Sequence, residues 1–218
     1  VERVVIVLAK SPVPGRVKTR LCPPVTPRQA ADLAAAALTD SVEAARRVRA
    51  ATVVVALDGE PDAALEAALE GTTVIPQCGG LLGERIAAAH ADVARLVPGA
   101  CTVQIGMDTP QCDPAVLDGC LDAVGRPQGP DALLGPASDG GWWALALRDP
   151  RHAGLIRHVP TSRDDTGVRT RAALEVAGLR VGALPLLTDV DTMLDAHAVA
   201  RICPGSRFAA ALYAAVGA

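Results

Sequence analysis

Runs of contiguous apolar residues alternate along this chain with segments whose apolar positions recur every three or four residues. RVVIVLA at 3–9, TVVVAL at 52–57 and CTVQIG at 101–106 are continuous and rich in β-branched residues, the pattern of strands buried on both faces. Residues 72–75 read as a further short strand. Between these runs the period is helical. Thr26-Pro27-Arg28-Gln29 supplies a cap hydroxyl, a proline in the first turn and a glutamine at N3. The helix it opens presents Ala30, Ala34, Leu38, Val42, Ala45 and Val48 along one face. A short helix is predicted over 61–70. After the break at Gly79-Gly80 a longer one carries Leu82, Ile86, Ala89, Val93 and Leu96.

The second half keeps the alternation less regularly. Asp113-Pro114 caps a helix running to about Val124. DALLGPA at 131–137 and the apolar run GWWALAL flank the turn Ser138-Asp139-Gly140-Gly141. A helix from about Asp165 to Ala177, a short strand at 179–184, the stretch DVDTMLD and a final helix pair complete the chain. The fold class is α/β: three layers, α/β/α, around a mostly parallel sheet. The irregular portion after residue 137 makes that sheet mixed, with an antiparallel strand.

Composition narrows the picture. The 218 residues form one domain, 1–218, half of them apolar and 21% charged, so a sizeable core is expected and wholesale disorder is excluded. Trp142, Trp143, Phe208 and Tyr213 are the only residues among Trp, Phe and Tyr, so the core is built from Val, Leu, Ile and Ala. The formal net charge of −3 argues against a nucleic-acid partner gripped by a broad basic face. The six cysteines (22, 78, 101, 112, 120, 203) show no C-x₂₋₄-C spacing, and buried thiols in a reducing compartment are the expectation. Val-Glu-Arg leads straight into a strand without a cationic apolar leader, and no apolar stretch is long enough to span a bilayer; a cytoplasmic protein is expected.

Against this acidic background one segment stands out. AKSPVPGRVKTRLCPP, residues 9–24, follows the first strand and holds Lys10, Arg16, Lys18 and Arg20 without an acid. Pro12, Pro14 and Gly15 restrict or bend its backbone. On an extended segment Arg16, Lys18 and Arg20 would share one side and could converge on a phosphate chain. The bland alternative is a solvated loop stiffened by proline. The Gly-Lys-Ser/Thr ending of a Walker loop is absent.

Three acidic places follow, at positions where open α/β sheets put their ligands. Asp108 comes directly after a strand, suited to ligating Mg²⁺ or Mn²⁺, or simply to satisfying local amides. Asp139 precedes Gly140 and Gly141, which either make a turn or let a ligand approach the backbone. Trp142 and Trp143 are adjacent, so in a strand they face opposite ways, one toward packed helices and the other free to line a pocket. Asp189 and Asp191 project together on extended chain and could add metal contacts if the fold brings them to Asp108; one of them, or Thr192, caps the following helix. His90, His152, His158 and His197 form no catalytic centre with a serine or cysteine, and the G-x-S-x-G elbow is missing.

These motifs (AKSPVPGRVKTRL at 9–21, GMDTP at 106–110, LGPASDGGWW at 134–143, DVDT at 189–192) resemble the bacterial DUF2064 family, glycosyltransferase-like proteins within the nucleotide-diphospho-sugar transferases. The family is similar to 2-phospholactate and molybdenum cofactor guanylyltransferases. The resemblance covers about 180 residues and implies a glycosyltransferase-A fold. It further implies nucleotide binding by Ala9, Lys10, Gly15, Arg16, Lys18, Arg20 and Asp108, with Lys18, Arg16 and Asp108 catalytic. Mg²⁺ (or Mn²⁺) would be held by Asp108 and Asp191, with Asp189 an alternative. Asp139, Gly140, Gly141, Trp142 and Trp143 would lie on the acceptor side. This chain departs from the family in having Trp142 and Trp143 where tyrosines are usual, and Met193-Leu194 where a proline–acid pair follows DVDT.

The expected activity is metal-dependent nucleotidyl transfer from a nucleoside triphosphate, with GTP implied by the similar enzymes, to a phosphorylated small-molecule acceptor, with pyrophosphate released. The alternatives are sugar transfer from a nucleotide-sugar and an inactive nucleotide-binding module. Nucleobase, acceptor and any homo-oligomeric assembly are left open by the sequence.

Overall fold

The computed structural model describes residues 1–217. The strand-like runs form β1 (Arg3–Lys10), β2 (Ala51–Asp58), β3 (Thr73–Pro76), β4 (Cys101–Gly106), β5 (Ala132–Pro136), β6 (Trp142–Leu147) and β7 (Val181–Ala183). They make one seven-stranded sheet in the order β3-β2-β1-β4-β6-β5-β7. Every pairing is parallel except those of β6, which runs antiparallel to both β4 and β5. The mixed sheet expected from the irregular second half is therefore present, and β6 is the strand that makes it so.

The helices are α1 (Pro27–Arg46), α2 (Ala63–Leu69), α3 (Leu82–Leu96), α4 (Pro114–Gly125), α5 (Thr166–Val176), α6 (Met193–Ile202) and α7 (Arg207–Val216). Thr26 and Gln29 close a capping box at the start of α1, and Asp113 caps α4 through the amide of Ala115. At α6 the cap is Thr192, whose side chain accepts from the Asp195 amide. Asp189 and Asp191 are thereby left for other work. Two short 3₁₀ segments, Thr19–Leu21 and Pro150–Ile156, carry no periodicity that sequence reading detects.

Strand alternation sends side chains to two helical layers. Val5, Val7, Val103 and Ile105 pack with α1 and α4 on one face. On the other face α3, α5 and the 3₁₀ segment at 150–156 cover β5 and β6, while Val93 of α3 meets Val4, Ile6 and Val54. Helix α1 is buried on more than the single face its periodicity announces. Ala31, Ala34, Leu38 and Val42 face the sheet, whereas Ala30, Leu33 and Ala37 join Phe208, Leu212 and Val199 beneath α6 and α7. Ala30, expected on the sheet side, belongs to this outer cluster. Alanine at these positions allows the close helix approach that two-sided packing needs.

The six cysteines are unpaired; Cys101, Cys112 and Cys120 are buried as expected, Cys22 and Cys203 are half-buried and Cys78 is exposed. Among the described residues no helix is long and apolar enough to cross a membrane.

Candidate active site

A cavity of about 650 Å³ opens beyond the carboxyl ends of β1 and β4. The basic segment after β1 forms one wall, but it is not the extended ribbon its alternation suggests. It turns at Pro14–Arg16, where Arg16 N donates to the Val13 carbonyl at 3.0 Å, then coils into the 3₁₀ segment at 19–21. Gly15, at φ +78°, supplies a backbone conformation that other residues adopt only with strain, and Lys18 itself is left-handed at φ 48°. Stiff proline and left-handed turns replace extended geometry, yet Arg16, Lys18 and Arg20 all line the cavity.

Lys18 turns inward. Its side chain is only 9% exposed, and Nζ lies 2.6 Å from Asp108 Oδ1 and 3.6 Å from Asp191 Oδ1 while also donating to the Val190 carbonyl. Arg20 reaches Asp191 at 3.1 Å from the exposed side. Arg16 stands exposed on the cavity wall and, among the described residues, forms no ion pair with an acid. Lys10, at the end of β1, lies 3.9 Å from Asp58. Of the expected nucleotide-binding residues Ala9, Lys10, Arg16, Lys18, Arg20 and Asp108 line the cavity; Gly15 does not.

The acids arrive from three loops. Asp108 follows β4, and its carbonyl accepts from Val190 N at 2.9 Å, which pins the 189–191 segment beside it. Gln111 adds a second tie to that segment through the Thr188 carbonyl at 2.7 Å. Asp139 comes from the β5–β6 turn, where its Oδ1 accepts from Gly141 N at 2.8 Å. Asp189 feels all of them. Burial, with Asp108, Asp139 and Asp191 nearby and only Lys18 opposing, pushes its carboxyl up to about 7. Four carboxylates face the enclosed ammonium of Lys18 and, from the exposed side, the guanidinium of Arg20, and their all-oxygen donor set suits a hard cation. Among the described residues no three ligands stand ready as a closed protein cage. That also fits Mg²⁺, which commonly binds one or two carboxylates and completes its shell with water and phosphate oxygens.

On the second-half side Asp139, Gly141, Trp142 and Trp143 line the cavity. Gly140 does not: a Cβ there would lie 1.9 Å from the Asp164 carbonyl oxygen, and the Gly140 carbonyl accepts from Gly167 N at 2.8 Å. Its place is against the approach to α5. The indoles divide as strand geometry requires. Trp143 is buried with Nε1 donating to the Pro185 carbonyl at 2.9 Å, and Trp142 is half-buried with Nε1 donating to Thr170 Oγ1 at 3.1 Å.

Several cavity residues were not foreseen. Gln77 Nε2 donates to the Ala9 and Ala56 carbonyls, and its Oε1 accepts from Arg85 at 3.3 Å, with Arg85 also paired to Asp58. Arg163 enters from the loop before α5 and Thr166 from the first turn of that helix. Gln104 forms part of the floor from within β4. The one advance signal was the amide of Gln104, polar, with Thr102, inside a buried strand.

The fold and the loops gathered at its strand ends are those of the nucleotide-diphospho-sugar transferase class. Within that class the family described as "Uncharacterized protein conserved in bacteria (DUF2064)" matches residues 40–163, and the chain belongs to it. Among solved structures, the chain is similar to a protein of Desulfovibrio desulfuricans G20 provisionally described as a nucleotide-diphospho-sugar transferase. The two are 27% identical with a TM-score of 0.85 over 96% of this chain and 93% of that one. It also shares its fold with CMP:2-keto-3-deoxy-manno-octonic acid synthetase complexed with CTP (13% identity, TM-score 0.61, 94% and 99% covered). A third likeness is to Rv0371c of Mycobacterium tuberculosis H37Rv in complex with manganese (23% identity, TM-score 0.54, 91% and 97% covered). A search of the curated proteins gave no match.

Proposed function

We propose that the protein is a metal-dependent nucleotidyltransferase joining a nucleoside triphosphate to a phosphorylated small molecule. The observation that carries this reading is the meeting of Lys18 with Asp108 and Asp191, cations and acids together, in a cavity large enough for a nucleotide. The fold shared with a synthetase complexed with CTP supports it.

Asp108 and Asp191, with Asp189 the alternative to Asp191, would hold Mg²⁺ or Mn²⁺, which when bound would neutralise charge on the phosphate oxygens and polarise the reacting phosphorus. Arg16 and Lys10, on the cavity wall, receive the outer phosphates. Lys18 and Arg20 border the acids and offset the charge that develops on departing pyrophosphate. An acceptor phosphate oxygen forms the new bond to the α-phosphorus as the bond to the bridging oxygen of the β-phosphate breaks. That attacking group is already an anion, so no general base is required. Asp139 and Trp142 stand on the far wall, toward the acceptor.

The test is incubation of nucleoside triphosphates, GTP first, with Mg²⁺ and a panel of phosphate monoesters. Pyrophosphate release that depends on the acceptor is the expected result. Release of a nucleoside diphosphate from nucleotide-sugars, with no pyrophosphate from any pair, overturns it in favour of sugar transfer.

A further inference from the structure

Three polar side chains lie together where α3 packs on β4, a place that apolar residues could fill at no cost in hydrogen bonding. Thr102, Gln104 and His90 are each at least 97% buried, at 0%, 3% and 0% exposure. Thr102 Oγ1 lies 3.3 Å from His90 Nδ1, and His90 Nε2 lies 3.3 Å from Gln104 Oε1. Burying three such groups is unfavourable unless each is satisfied. The imidazole solves most of this as a neutral ring: the Thr102 hydroxyl donates to Nδ1, and Nε2–H donates to the glutamine oxygen. Burial keeps it neutral, pushing its pKa down to about 4.

One group is left over. With Oε1 taken by His90, the Gln104 amide nitrogen has no partner among the described residues, while Gln104 lines the cavity. Around it stand the aliphatic Leu8 of β1 and Leu82 and Ile86 of α3, with Arg85 between the last two held by Asp58 and Gln77. The geometry points to Gln104 as a substrate-binding residue that donates a hydrogen bond to an acceptor atom on the nucleoside, base or sugar, of a bound nucleotide. His90 is its positioning residue, fixing which end of the amide faces the ligand. A phosphate belongs with Arg16, Lys18 and Arg20, since Arg85 is already engaged by Asp58 and Gln77; an uncharged ring suits an aliphatic wall with a single directed donor. Because the glutamine oxygen is occupied, the site selects an acceptor and leaves a donor at that point unpaired. This inference rests on the nucleotide reading of the cavity, but it assigns a residue that the basic loop and the aspartates do not involve.

The experiment is calorimetric titration of the four common nucleoside triphosphates, and separately of inorganic tripolyphosphate, each with Mg²⁺, into the wild-type chain and Gln104→Leu. The wild type is expected to bind at least one nucleotide about tenfold more tightly than the variant, while tripolyphosphate binds both equally. Equal nucleotide affinities, or equal weakening of nucleotide and tripolyphosphate, overturns the role of Gln104 and leaves the nucleotide reading standing. Failure of the wild type to bind any nucleotide overturns both. Should the leucine variant not fold, Gln104→Met takes its place. Nitrogen-15 NMR of His90 gives an independent readout: a neutral ring protonated at Nε2 is expected, and a proton at Nδ1 instead would reverse the amide and sink the assignment.

Discussion

Asp189 occupies a position that disfavours a carboxylate, with three others around it and little water to screen them. Such a residue persists where function needs the charge. Asp189→Asn removes the repulsion, so thermal or urea unfolding of the metal-free protein at neutral pH should show it more stable by roughly 2 kcal/mol. The same variant should lose about 100-fold or more in pyrophosphate release. A variant less stable than wild type would show that Lys18 outweighs the three acids. The residue types at the site were legible from sequence: cations after the first strand, acids after the fourth and before the last helix pair. Their partners were not, because Lys18 meets Asp191 across 173 positions of chain and only the folded path sets that distance.

At the scale of elements, two contacts hold the cavity's floor and far wall. Gly140, at φ +85°, lets the β5–β6 turn lie against the backbone preceding α5. Gly140→Ala places a methyl group into the Asp164 carbonyl, so a loss of at least about 2 kcal/mol is expected on urea unfolding. A loss well below that would mean the two segments part readily. The α3–β4 contact makes stability depend on pH. His90 ionises at about 4 in the fold, against an ordinary value near 6.5 when unfolded. Between those values the unfolded chain binds more protons, so stability is full above pH 6.5 and falls as pH drops toward 4, by roughly 3 kcal/mol at most. Urea midpoints across this range check the slope, which His90→Leu should flatten even though it lowers stability overall.

Strand and helix identities at this scale were largely readable, since each is written in local period and cap chemistry: Thr26 with Gln29, Asp113 with Pro114. Two segments depart from the local pattern. The segment at 9–24 has alternating cations, yet Pro14, Gly15 and the left-handed Lys18 coil it. The 3₁₀ segment at 150–156 gains its order from packing on β6 and α3. Backbone restriction overrides the alternating pattern in the first, and tertiary contact decides the second, where local pattern is weak.

For the molecule as a whole, a ligand that joins its walls should stabilise the fold by mass action. With Mg²⁺ and a nucleoside triphosphate at about 100 times its Kd, the gain is about 2.7 kcal/mol, a rise of roughly 5–10 °C in Tm for a chain of this size. Mg²⁺ alone should add little, since the protein supplies no closed cage, and a chelator should reverse the shift. A nucleotide effect that survives chelation would remove the metal from the scheme.

The sequence by itself determined the α/β alternation, the mixed sheet, the composition of the core and the charged residues at strand ends. These follow from short-range period, from β-branched runs and from the position of prolines and caps. Tertiary structure alone decided that α1 packs on two faces, that Gly140 serves the approach to α5, and that Lys18 is enclosed by acids. It also decided that Gln104, within a strand, meets His90 through its side-chain oxygen while lining the cavity. Those outcomes depend on groups far apart in the chain, and their energies rise from separations of a few ångströms that only the folded arrangement creates.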